Sequence, residues 1–238
     1  MIPIRDENRS QTQPHVTRIL LIVNIVAFFV VLLPEFAGGN WFWVLLGFAQ
    51  SPWLEKAISS YGMTPYYVLH GERLFTFLTS MFLHADLWHL GGNMLFLYIF
   101  GDNVEDAFGH FRYLAFYLIS GFAASIAFIG AQLLSSDPIA LLIPAIGASG
   151  AIAGVLGAYI VLYPKARIST LVLIGWLMIV PLPAILFLGL WFVFQLLYGL
   201  LTFAIAQTGI AYWAHIGGFV VGILFGLVWR GRRRTRSI

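Results

Sequence analysis

Polar side chains interrupt this chain at long intervals, and the apolar runs between them have the length of membrane crossings. The first run, "ILLIVNIVAFFVVLL" with "PEFAGG" behind it, follows Arg5, Arg9 and Arg18 and predicts a helix running from the inside of a membrane to the outside. Residues 38 to 80 then lie outside. They carry Trp41, Trp43, Trp53, Tyr66 and Tyr67 among too many charges and breakers to span, which predicts short helical pieces in the outer interface. A second crossing near 85 to 100 contains "HADLWHLGGNMLFLYIFG" and ends at the acidic "DNVED". The return, "YLAFYLISGFAASIAFIGAQLL", begins after Arg112. The loop "SSDPIALLIP" leads into the glycine-rich "PAIGASGAIAGVLGAY", which ends at "YPKAR".

Parity constrains the remainder. Lys165 and Arg167 mark the inside after the fourth crossing, and "RGRRRTR" marks it again after the last, "AYWAHIGGFVVGILFGLVW", so the chain between them crosses an odd number of times. It is too short for three. "PAILFLGLWFVFQLLYGLLTFA", at about 183 to 205, supplies one crossing, with Pro181 and Pro183 marking a break before it. "ISTLVLIGWLMIVP", which contains residues 169–181, is then interfacial or re-entrant. The pattern predicts an all-α, six-helix membrane bundle with an interfacial loop after the first span, although hydropathy alone allows a seventh crossing.

Composition agrees: 60% of residues are hydrophobic and 10% charged, against roughly 25% charged in soluble domains. One membrane domain at 18–229 is expected, between a short cytosolic tail at 1–17 and a basic cytosolic tail at 230–238. Cysteine is absent, which excludes disulfides, thiolate metal sites and Cys nucleophiles. The net charge of +3 comes largely from the carboxyl end, which reads as a topological anchor, not a nucleic-acid surface. The amino end lacks the positive-then-apolar order of a signal peptide. The expected location is a cell's inner (plasma) membrane, with both termini in the cytoplasm.

The candidate chemistry follows from depth. Ser149 lies 16 positions before Lys165, and His215 lies 15 before Arg230. Both side chains therefore stand roughly 22 to 24 Å above the inner boundary of an apolar layer about 30 Å thick. Gly150, Gly154 and Ala158 follow the Ser at four-residue spacing, as Gly218, Gly222 and Gly226 follow the His, and such repeats let membrane helices approach closely. A lone Ser in a membrane helix is ordinarily a packing residue. A hydroxyl and an imidazole at one height on two helices that can touch make a candidate nucleophile and base.

His89 and Asn93, four apart on the second span, project from one face and can donate, with the Ser149 backbone N–H, to the oxyanion of acyl transfer. His84, Asp86 and His89 can also be read as a metal site, but the His-Glu-x-x-His pattern is missing. No cofactor is called for.

"ERLFTFLTSMFLHADLWHLGGNM", "GDNVEDAFG", "GASGAIAG" and "AHIGGFVVG" occur in the order found in the rhomboid intramembrane serine proteases, which the chain resembles over nearly its whole membrane core. The resemblance implies Ser149 as nucleophile and His215 as general base, and His89 and Asn93 as oxyanion donors. It implies structural positions at Arg73, His84, Gly101 and Glu105, and Gly147, Gly150, Gly154 and Gly218 are expected, with Arg73, His84 and Glu105, to be structural residues near the site. Its substrates would be transmembrane proteins within the bilayer. Some members place an aromatic beneath the imidazole four residues after the Ser, where this chain has Ala153. Two other classes stay open: a catalytically silent relative that binds membrane segments, and a small transporter, against which no internal repeat is evident.

Overall fold

The computed structural model describes residues 1–235 apart from 9, 38, 175 and 204–209. Helix α1 (His15–Leu32) continues as a 3-10 turn through Leu33–Ala37 and has no capping side chain of its own. Its first donors go instead to the buried Glu105 carboxylate, which accepts from the backbone N–H of Val16 (2.9 Å) and Thr17 (2.8 Å) and from the Thr17 hydroxyl (2.7 Å). A carboxylate there satisfies donors that no helical turn can reach and meets the positive end of the helix dipole.

Four short helices, α2 (Trp41–Leu45), α3 (Pro52–Tyr61), α4 (Pro65–Leu69) and α5 (Thr76–Thr79), form the aromatic segment that follows. α6 (Leu87–Phe108) is capped by Asp86, whose carboxylate accepts from the His89 N–H at 2.7 Å. It stops at Gly109, whose φ of +79° suits glycine, and α7 (His110–Leu134) begins at the next residue. α8 (Ser149–Leu162), α9 (Ala184–Leu201) and α10 (Tyr212–Thr235) complete the helices. Residues 204–205 of the expected fifth crossing and 236–238 of the expected tail lie outside the described residues.

Among the described residues, four helices have the length and apolarity to cross a membrane: His15–Ala37, His110–Leu134, Ala184–Leu201 and Tyr212–Gly231. This is a membrane protein. The other two long helices differ from them, α6 by Asp102, Glu105 and Asp106 near its carboxyl-terminal end and α8 by its 14 residues. At 1.5 Å per residue α8 is only about 21 Å long. It is the central helix, with every residue from Gly150 to Tyr159 buried. Its most extensive contact is with α10. The close approaches advance together, Gly218 against Gly150, Gly222 against Gly154 and Gly226 against Ala158, so the two helices run parallel.

The chain is not all-α. Residues expected to be interfacial or re-entrant form two antiparallel strands, β2 (Arg167–Ile174) and β3 (Trp176–Pro183), and the expected amino-terminal tail contributes β1 (Ile2–Asp6). The sheet order is β1-β2-β3, with Ile2 opposite Leu171 and Asp6 opposite Ile168. Ile168, Thr170, Val172 and Ile174 supply the branched side chains that favour a pleated strand. Pro3, Pro181 and Pro183 fall only on the two edge strands, where a missing N–H leaves no neighbour unpaired.

Asp6 ties this sheet to the helices. Its carboxylate accepts from the Tyr159 hydroxyl of α8 at 2.6 Å and from the Asn103 amide of α6 at 2.8 Å. Burial pushes its carboxyl up to about 6 from the ordinary 3.8, against the lowering effect of the Tyr159 hydrogen bond, with Asp102 adding repulsion. A carboxyl with a raised folded-state pKa binds its proton more tightly in the fold, so stability falls as pH rises from about 4 to about 6 and is level above. Because the group keeps solvent contact, the expected loss is about 1 kcal/mol. Thermal melts of the detergent-solubilised protein across this range should show it, and Asp6→Asn should flatten the slope. An unchanged slope in Asp6→Asn would locate the titration elsewhere.

Candidate active site

Ser149 is the first residue of α8 and His215 the fourth of α10, and the parallel packing of the two helices brings them level. Ser149 Oγ lies 2.7 Å from His215 Nε2. The segment entering α8 is fixed from outside the helix pair. Met63 and Ala145 exchange backbone hydrogen bonds of 3.0 and 2.9 Å, and the Gly147 N–H donates to the Ser80 carbonyl at 2.9 Å. Gly147 has a φ of +111°, a backbone state that L side chains rarely adopt, and so turns the chain into the helix just ahead of the serine.

The same glycine leaves room for two side chains of α6. A methyl group at Gly147 would stand 2.7 Å from His89 Nε2 and 3.7 Å from Asn93 Nδ2, so both nitrogens face the residue two before Ser149. The Ala85 N–H donates to His89 Nδ1 at 3.4 Å. A neutral imidazole that accepts at Nδ1 carries its hydrogen at Nε2, the nitrogen turned toward Gly147. Asn93 Nδ2 is buried without a hydrogen-bond partner among the described residues. The first backbone N–H groups of α8 are also free of intrahelical partners. Two side-chain nitrogens of α6 and the first backbone N–H groups of α8 thus lie beside the segment that carries the hydroxyl. A cavity of about 30 Å³, lined in part by Ser80, Ser125, Gly147 and Ser149, adjoins it and has room for a water molecule.

Only some of the remaining expected residues gather at this centre. His84 is buried against His89, ring centroids 5.0 Å apart. Asp86, weighed above as a metal ligand, caps α6. Arg73 lies away from the hydroxyl, donating to the Ser59 carbonyl at 2.8 Å with its guanidinium 4.0 Å over the Tyr67 ring. Glu105 and Gly101 sit toward the other end of α6; a methyl at Gly101 would meet the Tyr113 hydroxyl at 2.8 Å. The glycine faces divide differently from the sequence expectation. The open sides of Gly150 and Gly154 point at Ala124 and Ser120 of α7, whereas those of Gly218 and Gly222 point at the carbonyls of Gly150 and Gly154.

One contact has no counterpart in the sequence reading. His215 Nδ1 lies 2.8 Å from the Gln195 side-chain oxygen of α9, and Trp191, one turn earlier, has its ring 6.0 Å from the imidazole at an interplanar angle of 34°. A lone glutamine within "WFVFQLLYG" was the available signal, since polar side chains at membrane depth are seldom idle.

Residues 71–232, well over half the chain, match the family description "Rhomboid domain". The chain belongs to the rhomboid family. Among its rhomboid relatives are Rhomboid protein 1, mitochondrial, of Saccharomyces cerevisiae, 33% identical over 62% of this chain and 39% of the relative. RHOMBOID-like protein 6, mitochondrial, of Arabidopsis thaliana is 32% identical over 68% of this chain and 45% of its own. Rhomboid protease AarA of Providencia stuartii is 31% identical over 63% of this chain and 54% of its own. The chain thus spans about half or less of the length of these rhomboids.

Proposed function

We propose that this rhomboid is an intramembrane serine endopeptidase that hydrolyses peptide bonds in or near the outer ends of transmembrane segments. The observation that carries this reading is the 2.7 Å contact between Ser149 Oγ and His215 Nε2, which is hydrogen-bond reach for a nucleophile and its base. The relative named as a protease supports it. In the attack, the Oγ proton passes to Nε2 as Oγ bonds to the scissile carbonyl carbon, and the carbonyl electron pair moves onto oxygen. That oxyanion is met by His89 Nε2–H, Asn93 Nδ2–H and the Ser149 backbone N–H. Collapse expels the amine, which takes the proton from Nε2, and water hydrolyses the acyl-enzyme by the same exchange in reverse.

The same reading assigns six crossings, α6 and α8 included, with both termini in the cytoplasm of a cell whose plasma membrane holds the protein and with the site opening to the outside. α8 need not span the full apolar layer, because it is surrounded by protein and begins at the serine. Non-helical backbone at depth is tolerated where protein or a wet cavity covers it, and the segment 144–148 ahead of α8 is such backbone.

The test uses the purified chain in lipid vesicles with a transmembrane reporter and a fluorophosphonate probe. Cleavage together with covalent labelling at Ser149 is expected. A folded protein that does neither belongs with the silent, segment-binding relatives. Asn93→Ala supplies a graded check: removing one oxyanion donor costs about 10² to 10³ in turnover, so this variant should cleave slowly while still accepting the probe. Full activity in Asn93→Ala would reduce that side chain to packing.

A further inference from the structure

We propose that α9 holds the catalytic imidazole in place, with Gln195 as a positioning residue that fixes the tautomer of His215 and Trp191 as the wall on which the ring rests. The proposal rests on the protease reading above and adds a third helix to its machinery. A two-residue dyad leaves the far nitrogen of the ring undirected, and the position one turn below the serine, Ala153, is a buried methyl group with nothing to offer an imidazole edge. The neighbouring helix supplies what is missing.

A side-chain amide oxygen only accepts hydrogen bonds, so the 2.8 Å contact requires that Nδ1 of His215 carry the hydrogen and donate it. The ring's single remaining lone pair is then on Nε2, the nitrogen 2.7 Å from Ser149 Oγ. The alternative tautomer would point an N–H at a hydroxyl that must itself give up a proton, and would leave two lone pairs facing each other across the Gln195 contact. When Nε2 takes the serine proton the ring becomes a cation, and the Nδ1–H bond to Gln195 becomes charge-assisted and stronger. The interaction therefore favours the transition state over the resting state, which is what raises turnover without tightening substrate binding. A neutral amide does this through its oxygen alone, without a permanent charge in the resting site.

Trp191 and Gln195 are four apart and so share one face of α9. That face looks toward α10: the Trp191 ring also lies 5.8 Å from Phe219, one turn beyond His215. A second tie holds the outer end of the pair together, where the Trp213 indole N–H donates to the Gly199 carbonyl at 3.0 Å. α9 is thus fixed to α10 above and below the imidazole.

The experiment compares Gln195→Met, which keeps length and volume but has no acceptor oxygen, with Gln195→Glu, which restores an acceptor at the same reach. Both are assayed for reporter cleavage and for the rate of fluorophosphonate labelling in lipid vesicles, with thermal stability measured alongside. Gln195→Met should lose about 10- to 100-fold in kcat and in labelling rate while KM stays within about twofold, and Gln195→Glu should recover most of the loss. Side-chain ¹⁵N shifts of His215 in the parent should report a hydrogen on Nδ1, and in Gln195→Met a mixture of tautomers. A role in packing alone predicts the reverse order, with Met tolerated and Glu damaging. If Gln195→Met turns over and labels at the parent's rate, the assignment of Gln195 is wrong, while Ser149-dependent labelling of the parent would leave the protease reading standing. A folded parent that never reacts with the probe overturns both.

Discussion

Ser149→Ala and His215→Ala are each expected to remove cleavage of a transmembrane reporter altogether, a loss of about 10⁴-fold or more, because nucleophile and base act as one unit and either deletion disables both. The two variants differ in what survives. Ser149→Ala deletes one oxygen from a half-buried position and should leave thermal stability within about a kcal/mol of the parent. It keeps His215 seated against Gln195, and it loses all reaction with the fluorophosphonate. His215→Ala keeps the hydroxyl but leaves its proton nowhere to go, so labelling should be slowed to the background of an ordinary serine. Cleavage by Ser149→Ala at the parent's rate would end the protease reading, whatever the other variants do.

The second large effect needs no chemical group to be removed. A methyl at Gly218 would run into the carbonyl oxygen of Gly150, one residue past Ser149, and the obstacle is backbone that cannot rotate away. Gly218→Ala must therefore push α10 off α8 within one turn of His215. A displacement of about 1 Å at a reacting pair is enough to cost around 10²-fold, and the expected result is a loss of at least that size with a lowered melting temperature. Gly189→Ala on α9 is the control, since nothing lies within 4 Å of the added methyl. Gly154→Val, which the sequence spacing alone would select, presses first on Ser120 of α7 and tests a different contact. Equal activity of Gly218→Ala and Gly189→Ala would show that the separation of the two helices does not depend on these glycines.

The level of Ser149 and His215 was legible because it follows from counting residues to a basic anchor along a straight helix, a one-dimensional problem. The glycine spacing was legible for the same reason, but not which neighbour each glycine faces: four-residue repeats mark a stripe, and only the bundle decides that Gly150 and Gly154 turn to α7 while Gly218 and Gly222 turn to α8. The sheet was hidden by its own composition. "ISTLVLIGWLMIVP" is apolar enough to pass for membrane chain, and the charge parity that stopped it from being counted as a crossing carried no information about strands. Its alternate branched residues and its prolines were the local evidence. The partner strand was beyond local evidence altogether, since Ile2 pairs with Leu171. Gln195 escaped for a simpler reason: one amide among aromatics and leucines changes no hydropathy window.

That distant pairing orders the birth of the molecule. Residues 2–6 are made before every described helix, yet β1 has no strand partner until residues 168–171 have followed, and by then α1, α6, α7 and α8 have all been made. The carboxylate of Asp6 likewise waits for Asn103 and then for Tyr159 before either bond can form. Closing so long a loop is entropically unfavourable in a free chain, with a cost that grows only slowly with length, and helices already packed together hold the two ends near one another. The leading strand can therefore pair only after the serine-bearing helix has been made, which places closure of the sheet late in the synthesis of the chain.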